Sequence, residues 1–362
     1  MVGVGLAFAV LDLTGSVADL GWVLAARSVP LVLFLLVGGV VADRLPRRTV
    51  LLVTDAARAV TQGALGILLV TGDAQLWEVV VLQLFTGAAT AFFMPASSAL
   101  TTEVLPAERF QEANALRSLT NSAAGIAGPA IAGILVATAG PGWTLTIDGA
   151  SFAVGAVFLV GVRPPKREPS PAQSMLGDLR DGWQAYWTRT WLVVGNTHFA
   201  LLNAFVLAPF LVLGPAVAKR DLGGPGAWAA IATCVGVGYV AGSAAAIRLR
   251  FKRQLQASIL GSALCAPPVA LLALHAPVVV IAPFAVLTGM QLTICNTLWE
   301  TTLQELIPAE LLSRVVAYDW LNAIVFQPVG FALSGLIAAH VLGVAGTLWA
   351  AAGLAVASST IV

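Results

Sequence analysis

Charged side chains are scarce in this sequence: 19 Lys and Arg and 18 Asp and Glu among 362 residues, or 10%. A soluble protein of this length carries about a quarter. So little charge cannot wet the surface of one or two soluble domains, which excludes a cytosolic enzyme, a nucleic-acid-binding module and a disordered scaffold. Cysteine is rarer still. Cys234, Cys265 and Cys295 each sit inside an apolar run, with no CxxC and no adjacent His. That spacing suits neither a zinc site nor a disulfide framework and leaves small packing side chains. Catalytic signatures are missing too, with no HExxH, Walker loop or GxSxG. Gly236-Val-Gly238 and Gly242 lie in an apolar stretch without a preceding strand, so they read as packing glycines rather than a nucleotide loop. No metal, no cofactor, no nucleic-acid partner and no enzymatic activity are expected.

What the chain has in excess is apolar surface: 58% hydrophobic residues and a mean hydropathy of +0.89. A helix needs roughly 20 apolar residues to cross a hydrocarbon core of about 30 Å. Eleven runs qualify, at 21–42, 50–70, 76–100, 114–138, 143–162, 191–214, 226–248, 255–273, 277–300, 314–338 and 341–362. The spacing predicts an all-α polytopic membrane protein. Met1–Leu11 is apolar but only eleven residues long, about 16 Å as a helix. It has neither a basic n-region nor a cleavage site, and it ends in a polar turn, Asp12-Leu-Thr-Gly-Ser16. We read it as the second half of a first helix truncated at the N-terminus. The chain also reaches Val362 without a polar tail, and the implied parent has twelve helices.

Counting that short run as helix 1, 16 of the 19 basic residues fall in the loops after even-numbered helices or on their flanks. The exceptions are Arg27, Lys219 and Arg220. The positive-inside rule then predicts a cell (inner) membrane protein whose even-numbered loops and both parental termini are cytoplasmic. The longest polar stretch divides the chain into 1–162, a linker over 163–190, and 191–362. The linker opens with the Pro-rich basic stretch Arg163-Pro-Pro-Lys-Arg167, which cannot be helical. Over 174–187 it places Met175, Leu176, Leu179, Trp183 and Tyr186 at helical spacing, as in an amphipathic helix with its aromatics at headgroup depth. A shift of 202 residues lays Glu103-Val-Leu-Pro-Ala-Glu108 on Glu305-Leu-Ile-Pro-Ala-Glu310, Gly128 on Gly330 and Gly133 on Gly335. Repeats of this kind build transporters with a substrate site between the halves.

The loop after helix 2 reads Gly38-Gly39-Val-Val-Ala-Asp43-Arg44-Leu-Pro-Arg47-Arg48. It resembles the signature of the major facilitator superfamily. The resemblance implies that superfamily's fold of two pseudo-symmetric six-helix bundles, in which this loop latches the halves on the cytoplasmic side. Gly39, Asp43, Arg44, Arg47 and Arg48 would form the gate, with inferred partners Arg314 and Asp319. Thr54-Asp55-Ala-Ala-Arg58-Ala59, Phe92-Phe93-Met-Pro95-Ala96 and Ile147-Asp148-Gly-Ala-Ser151-Phe152 are similar to the bacterial macrolide-efflux and enterobactin-exporter branch, also called transmembrane secretion effectors. Gly125-Ile-Ala-Gly128-Pro129-Ala-Ile-Ala-Gly133 resembles the superfamily's antiporter motif, with Ala124 and Ala132 where the fuller pattern prefers Gly. Gln83 stands where many proton-coupled drug exporters have Arg.

Charges inside lipid need a reason, since each costs roughly 2.5–3.5 kcal/mol at mid-bilayer. Asp55 and Arg58 are three residues apart and can pair on one helix face. Arg27 and Glu78, near the ends of their runs, can snorkel to water. Asp148, Glu300 and Asp12 are candidates for proton coupling, because partial burial favours the neutral form of a carboxyl. Gln83, Asn196, His198 and Asn203 are candidates for lining a cavity. Taken together, the sequence points to a monomeric secondary active exporter of amphipathic small molecules, antibiotic or siderophore-like, coupled to protons and embedded in membrane lipid. A solute importer of the same fold and a non-transporting truncated membrane protein remain alternatives.

Overall fold

Hydrocarbon offers no hydrogen-bond partners, so a chain that crosses it must satisfy its backbone within each segment. The computed structural model describes residues 1–104, 109–162, 175–249 and 253–360. Among them are eleven helical spans long and apolar enough to cross a membrane, at the positions of the eleven apolar runs. The first half comprises α1 (Val2–Thr14), α2 (Val17–Arg44), α3 (Arg47–Thr71), α4 (Leu76–Val104), α5 (Phe110–Thr138) and α6 (Pro141–Gly161). The amphipathic segment forms α7 (Met175–Trp187), while residues 163–174 of the Pro-rich linker lie outside the described residues.

The second half is built differently. Three of its spans are interrupted: α8 (Thr190–Leu202) runs through a π-helical turn (Asn203–Leu207) into α9 (Ala208–Asp221). Next, α11 (Gln254–Gly261) passes through a 3₁₀ turn (Ser262–Cys265) into α12 (Ala266–Ala273), and α14 (Ala309–Val325) breaks at Phe326 before α15 (Gln327–His340). Between and after them, α10 (Pro225–Arg248), α13 (Val278–Leu306) and α16 (Gly343–Thr360) are continuous. The interruptions share a cause. Each second piece carries Pro in its first turn, namely Pro209, Pro267 and Pro328. Proline has no N–H to give the preceding turn, so the ladder loosens there and restarts at the proline. At the π turn the Ala208 N–H reaches back five residues to the Asn203 carbonyl.

The end at which α2 finishes and α3 begins, marked by Arg44, Arg47 and Arg48, is called the basic end below. Helices approach closely where a side chain is missing. Within the first half, α3 and α6 lie backbone to backbone: a Cβ on Gly149 would sit 2.6 Å from Gly63 N, and one on Gly66 2.5 Å from Thr146 N. In the second half α10 meets α13 the same way, through Gly238, Gly242 and Gly289. Thus Gly236, Gly238 and Gly242 are packing residues, with Gly236 turned the other way, onto the Gly125 carbonyl of α5.

The halves meet along two seams related by the repeat. Gly133 of α5 lies on Ala229 of α10, and its counterpart Gly335 of α15 lies on Val17 and Ala18 of α2. Gly128 faces Met1 at the start of α1, and its counterpart Gly330 faces Ala204 in the π turn. Each repeated glycine therefore meets an equivalent neighbour. α1 is buried from Val4 to Leu11. Both seams run from the end opposite the basic one toward mid-depth. At the end opposite the basic one, Lys219 Nζ on α9 bonds Asp12 Oδ1 at 2.6 Å and the Leu11 carbonyl at 2.7 Å, joining the halves.

A methyl group at Gly238 would lie 2.1 Å from the Val286 carbonyl oxygen, whereas one at Gly39 meets nothing within 4 Å. Gly238→Ala is expected to cost about 1–3 kcal/mol through overpacking and to lower the melting temperature in detergent. Gly39→Ala should melt as wild type does.

Candidate functional site

Helices α2, α3, α4 and α6 bring a polar group into the middle of the first half. Arg58 Nη2 donates to Asp55 Oδ1 at 2.5 Å, one turn away on α3. Its guanidinium lies 3.8 Å from the ring centre of Phe93 and 4.4 Å from that of Phe152. Pairing and ring stacking together stand in for water around a charge that is 6% exposed. Asp148 on α6 is 9% exposed, and its Oδ2 takes no hydrogen bond from the described residues. It interacts electrostatically with the Met1 amino group, Arg27 and Arg58. Beside this charge group, the Thr61 and Thr86 hydroxyls bond at 2.9 Å, and Gln83 Nε2 donates to Gln62 Oε1 at 3.4 Å. Gln83 and Gln62 are fully buried between α3 and α4. Toward the basic end, a cavity of about 430 Å³ opens among Leu51, Asp55, Phe93, Leu100, Gly155 and Leu159.

A second polar cluster organises the other half. Asp319 on α14 accepts at Oδ1 from Asn196 Nδ2 of α8 at 2.7 Å and from Trp299 Nε1 of α13 at 3.0 Å. Asn196 also donates to the Asp319 carbonyl at 2.8 Å and to the Tyr186 hydroxyl at 3.1 Å. Asn322 donates to the same hydroxyl at 3.0 Å. Tyr186 belongs to α7. It is 2% exposed, inside the second half rather than at headgroup depth, while Trp183 and Trp187 face outward. Burial pushes the Tyr186 hydroxyl up to about 12, so it stays a phenol. Glu300, next to Trp299, is exposed. His198 Nε2 and Ser262 Oγ are 3.2 Å apart, and Asn203 Nδ2 donates to the Ala323 carbonyl at 3.3 Å.

The remaining sequence-derived positions spread over both ends. Arg48 donates through Nε and Nη2 to the carbonyls of Leu159 and Val160, a cation at the C-terminal end of α6. Arg44 is exposed and Arg47 half-buried, and the Asp43 side chain lies outside the described residues. Gly38, not Gly39, is the close approach of α2 to α4, at the Ala91 carbonyl. Arg314 lies against Gly182 of α7. Gly125, Gly128, Pro129 and Gly133 line the α5 face that meets α10 and α1. Asp12 is in the inter-half ion pair with Lys219.

Arg27 is the residue whose place the sequence reading missed. It does not snorkel. It sits ten residues into α2, about 15 Å deep, half-buried and interacting with Asp148 and Arg58. The signal was present in Ser16-Val-Ala-Asp19: Ser16 Oγ accepts from the Asp19 N–H at 3.2 Å. That cap starts α2 at Val17, several residues before the apolar run, and carries Arg27 inward. Glu78, by contrast, stays at its helix start, with Oε2 accepting from the Gln75 N–H at 2.8 Å.

Two helical halves related by a repeat, with charges buried at mid-depth, define a transporter fold. A sequence profile of the Major Facilitator Superfamily matches residues 1–323, and the chain belongs to that family. It is 27% identical over 189 residues to the multidrug efflux pump Tap of Mycolicibacterium fortuitum, covering 49% of this chain and 46% of Tap. It is 28% identical over 152 residues to the enterobactin exporter EntS of Escherichia coli O1:K1, covering 40% of this chain and 36% of EntS. The chain thus spans less than half the length of these curated relatives. The nucleoside transporter NupG (D323A mutant) superposes with a TM-score of 0.75 at 13% identity, over 99% of this chain and 93% of NupG.

Removing one partner of a buried ion pair leaves an uncompensated charge, at about 3–5 kcal/mol. Arg58→Ala is therefore expected to lower thermal stability in detergent sharply. The neutral double variant Asp55→Asn/Arg58→Gln should recover most of the loss.

Proposed function

We propose that this protein is a secondary active exporter of amphipathic small molecules, antibiotic or siderophore-like, driven by proton antiport. The observation that carries the coupling is Asp148: a buried carboxylate with an unbonded oxygen, facing Arg27 and Arg58 near mid-depth. A proton at Asp148 changes the net charge of that group by one unit, and hydrocarbon magnifies the consequence. Resemblance to Tap and EntS supports export as the direction of transport.

The halves 1–162 and 191–362 rock about the glycine seams of α2 with α15 and α5 with α10, and the linker 163–190 joins them. The basic end faces the cytoplasm, following the placement of Lys and Arg. The seams and the Asp12–Lys219 bridge then close the outer end, so the cargo route opens inward. His198 and Asn203, both half-buried, lie on the first span of the second half, where they can contribute to a cargo surface, whereas Asn196 is buried and held by Asp319 and Tyr186. Closing the inner end brings Asp43, Arg44 and Arg47 toward α14, with Arg314 in reach, while Arg48 holds α6. The pathway runs between the two halves of one chain, so the unit of transport is a monomer.

Everted membrane vesicles energised by respiration should accumulate ethidium, and dissipating the pH gradient should stop the uptake. Asp148→Asn should reduce gradient-driven uptake about tenfold or more, equivalent to about 1.4 kcal/mol. Uptake that persists without a pH gradient would refute antiport. Absence of uptake across ethidium, macrolides and a catecholate siderophore would refute export.

A further inference from the structure

We infer that Asp319 is a proton-binding site in the second half, and that its ionisation fastens α7 and α14 to α8 and α13. The carboxylate is 8% exposed, and its hydrogen bonds come from neutral donors: the Asn196 amide and the Trp299 indole, both on Oδ1. Oδ2 takes no hydrogen bond from the described residues. α13 brings Glu300, a like charge that interacts with it, and α8 brings the Asn196 amide. α7 brings Tyr186, held as a phenol, with Arg180 exposed and the side chains of Asp178 and Asp181 outside the described residues. α14 itself carries Arg314 and Tyr318, both engaged in contacts of their own. α2 also packs on α14; its Arg27 interacts with Asp148 and Arg58, its Arg44 is exposed, and the Asp43 side chain lies outside the described residues.

Asp319 is therefore a negative charge held by dipoles, where Arg58 provides Asp55 with a full counter-charge. Bonds from N–H groups to an ionised carboxylate are roughly twice as strong as neutral ones. When a proton from the aqueous side adds to Oδ2, the site goes from one negative charge to none. The two Oδ1 bonds weaken to neutral strength, and the repulsion from Glu300 ends. Asn196 is the shared element, since the same Nδ2 serves Asp319 and Tyr186. Loosening it releases α7 together with α14, and α14 leads through Phe326 into α15, one of the two seams between the halves. A proton at Asp319 is thus read out as mobility of the linker helix and of the second half's inner end.

The site stands on its own geometry; only its use in transport rests on the antiport reading. Infrared difference spectra of the purified protein between alkaline and acid pH test it directly. Wild type should show a protonated-carboxyl band that Asp319→Asn lacks and Asp148→Asn retains. Hydrogen exchange of the α7 peptide, corrected for intrinsic rates, should rise on acidification in wild type and stay constant in Asp319→Asn. Should Asp319→Asn fail to fold, Trp299→Phe keeps the acid but removes one donor, and the band's midpoint must move. Identical titrations in wild type and Asp319→Asn, or an unmoved midpoint in Trp299→Phe, would overturn the proposal. The outcome for antiport is separate: gradient-independent ethidium uptake with the Asp319 band present refutes antiport and leaves the site standing.

Discussion

Hydrocarbon cannot solvate a polar group, and the protein's working parts are the places where another helix supplies what water would. Arg58 shows this most fully. Its charge is balanced by Asp55 one turn away on α3, and its faces are covered from other helices, by Phe93 of α4 and Phe152 of α6. The irregular backbone of three interrupted spans follows the same rule, for such backbone at membrane depth survives only inside protein or beside a cavity. Among the described residues all three breaks fall in the second half. The first half keeps continuous helices and concentrates its polar groups in side chains.

Close approach is the second consequence of life in lipid. With no hydrophobic force to press helices together, contact area and shape decide which faces meet. The repeated glycines Gly128/Gly330 and Gly133/Gly335 show that the two halves use one design twice, once against α1 and α10 and once against the π turn and α2. Such seams carry few side chains to lock them. In the proposed cycle they are the places where one half tilts on the other.

The sequence made the spans legible because a twenty-residue apolar run has one stable solution in a membrane. The repeat was legible because its glycines recur at a fixed shift. Arg27 was misplaced because an apolar run marks hydrocarbon, whereas the helix starts at its cap, Ser16. Tyr186 was assigned to the interface because its spacing is amphipathic. Nothing local to α7 reveals that Asn196 and Asn322, far along the chain, wait for its hydroxyl. Gly39 shares its motif with Gly38, but only one of two adjacent residues can face α4. The motif resemblance points to Asp319 only as a gate partner; nothing in the sequence shows that α8 and α13 converge with α14 on one of its oxygens.

In the proposed cycle two halves pivot at their glycine seams when buried carboxylates change charge. Its most direct test is the distance across the basic end, measured by pulsed electron resonance between spin labels at Leu45→Cys and Leu306→Cys, with the three native cysteines replaced. Both positions are exposed, one in each half. The account predicts a short and a long distance in exchange, with their ratio set by pH and fixed when Asp148 and Asp319 are both converted to Asn. A single distance that ignores pH would contradict it.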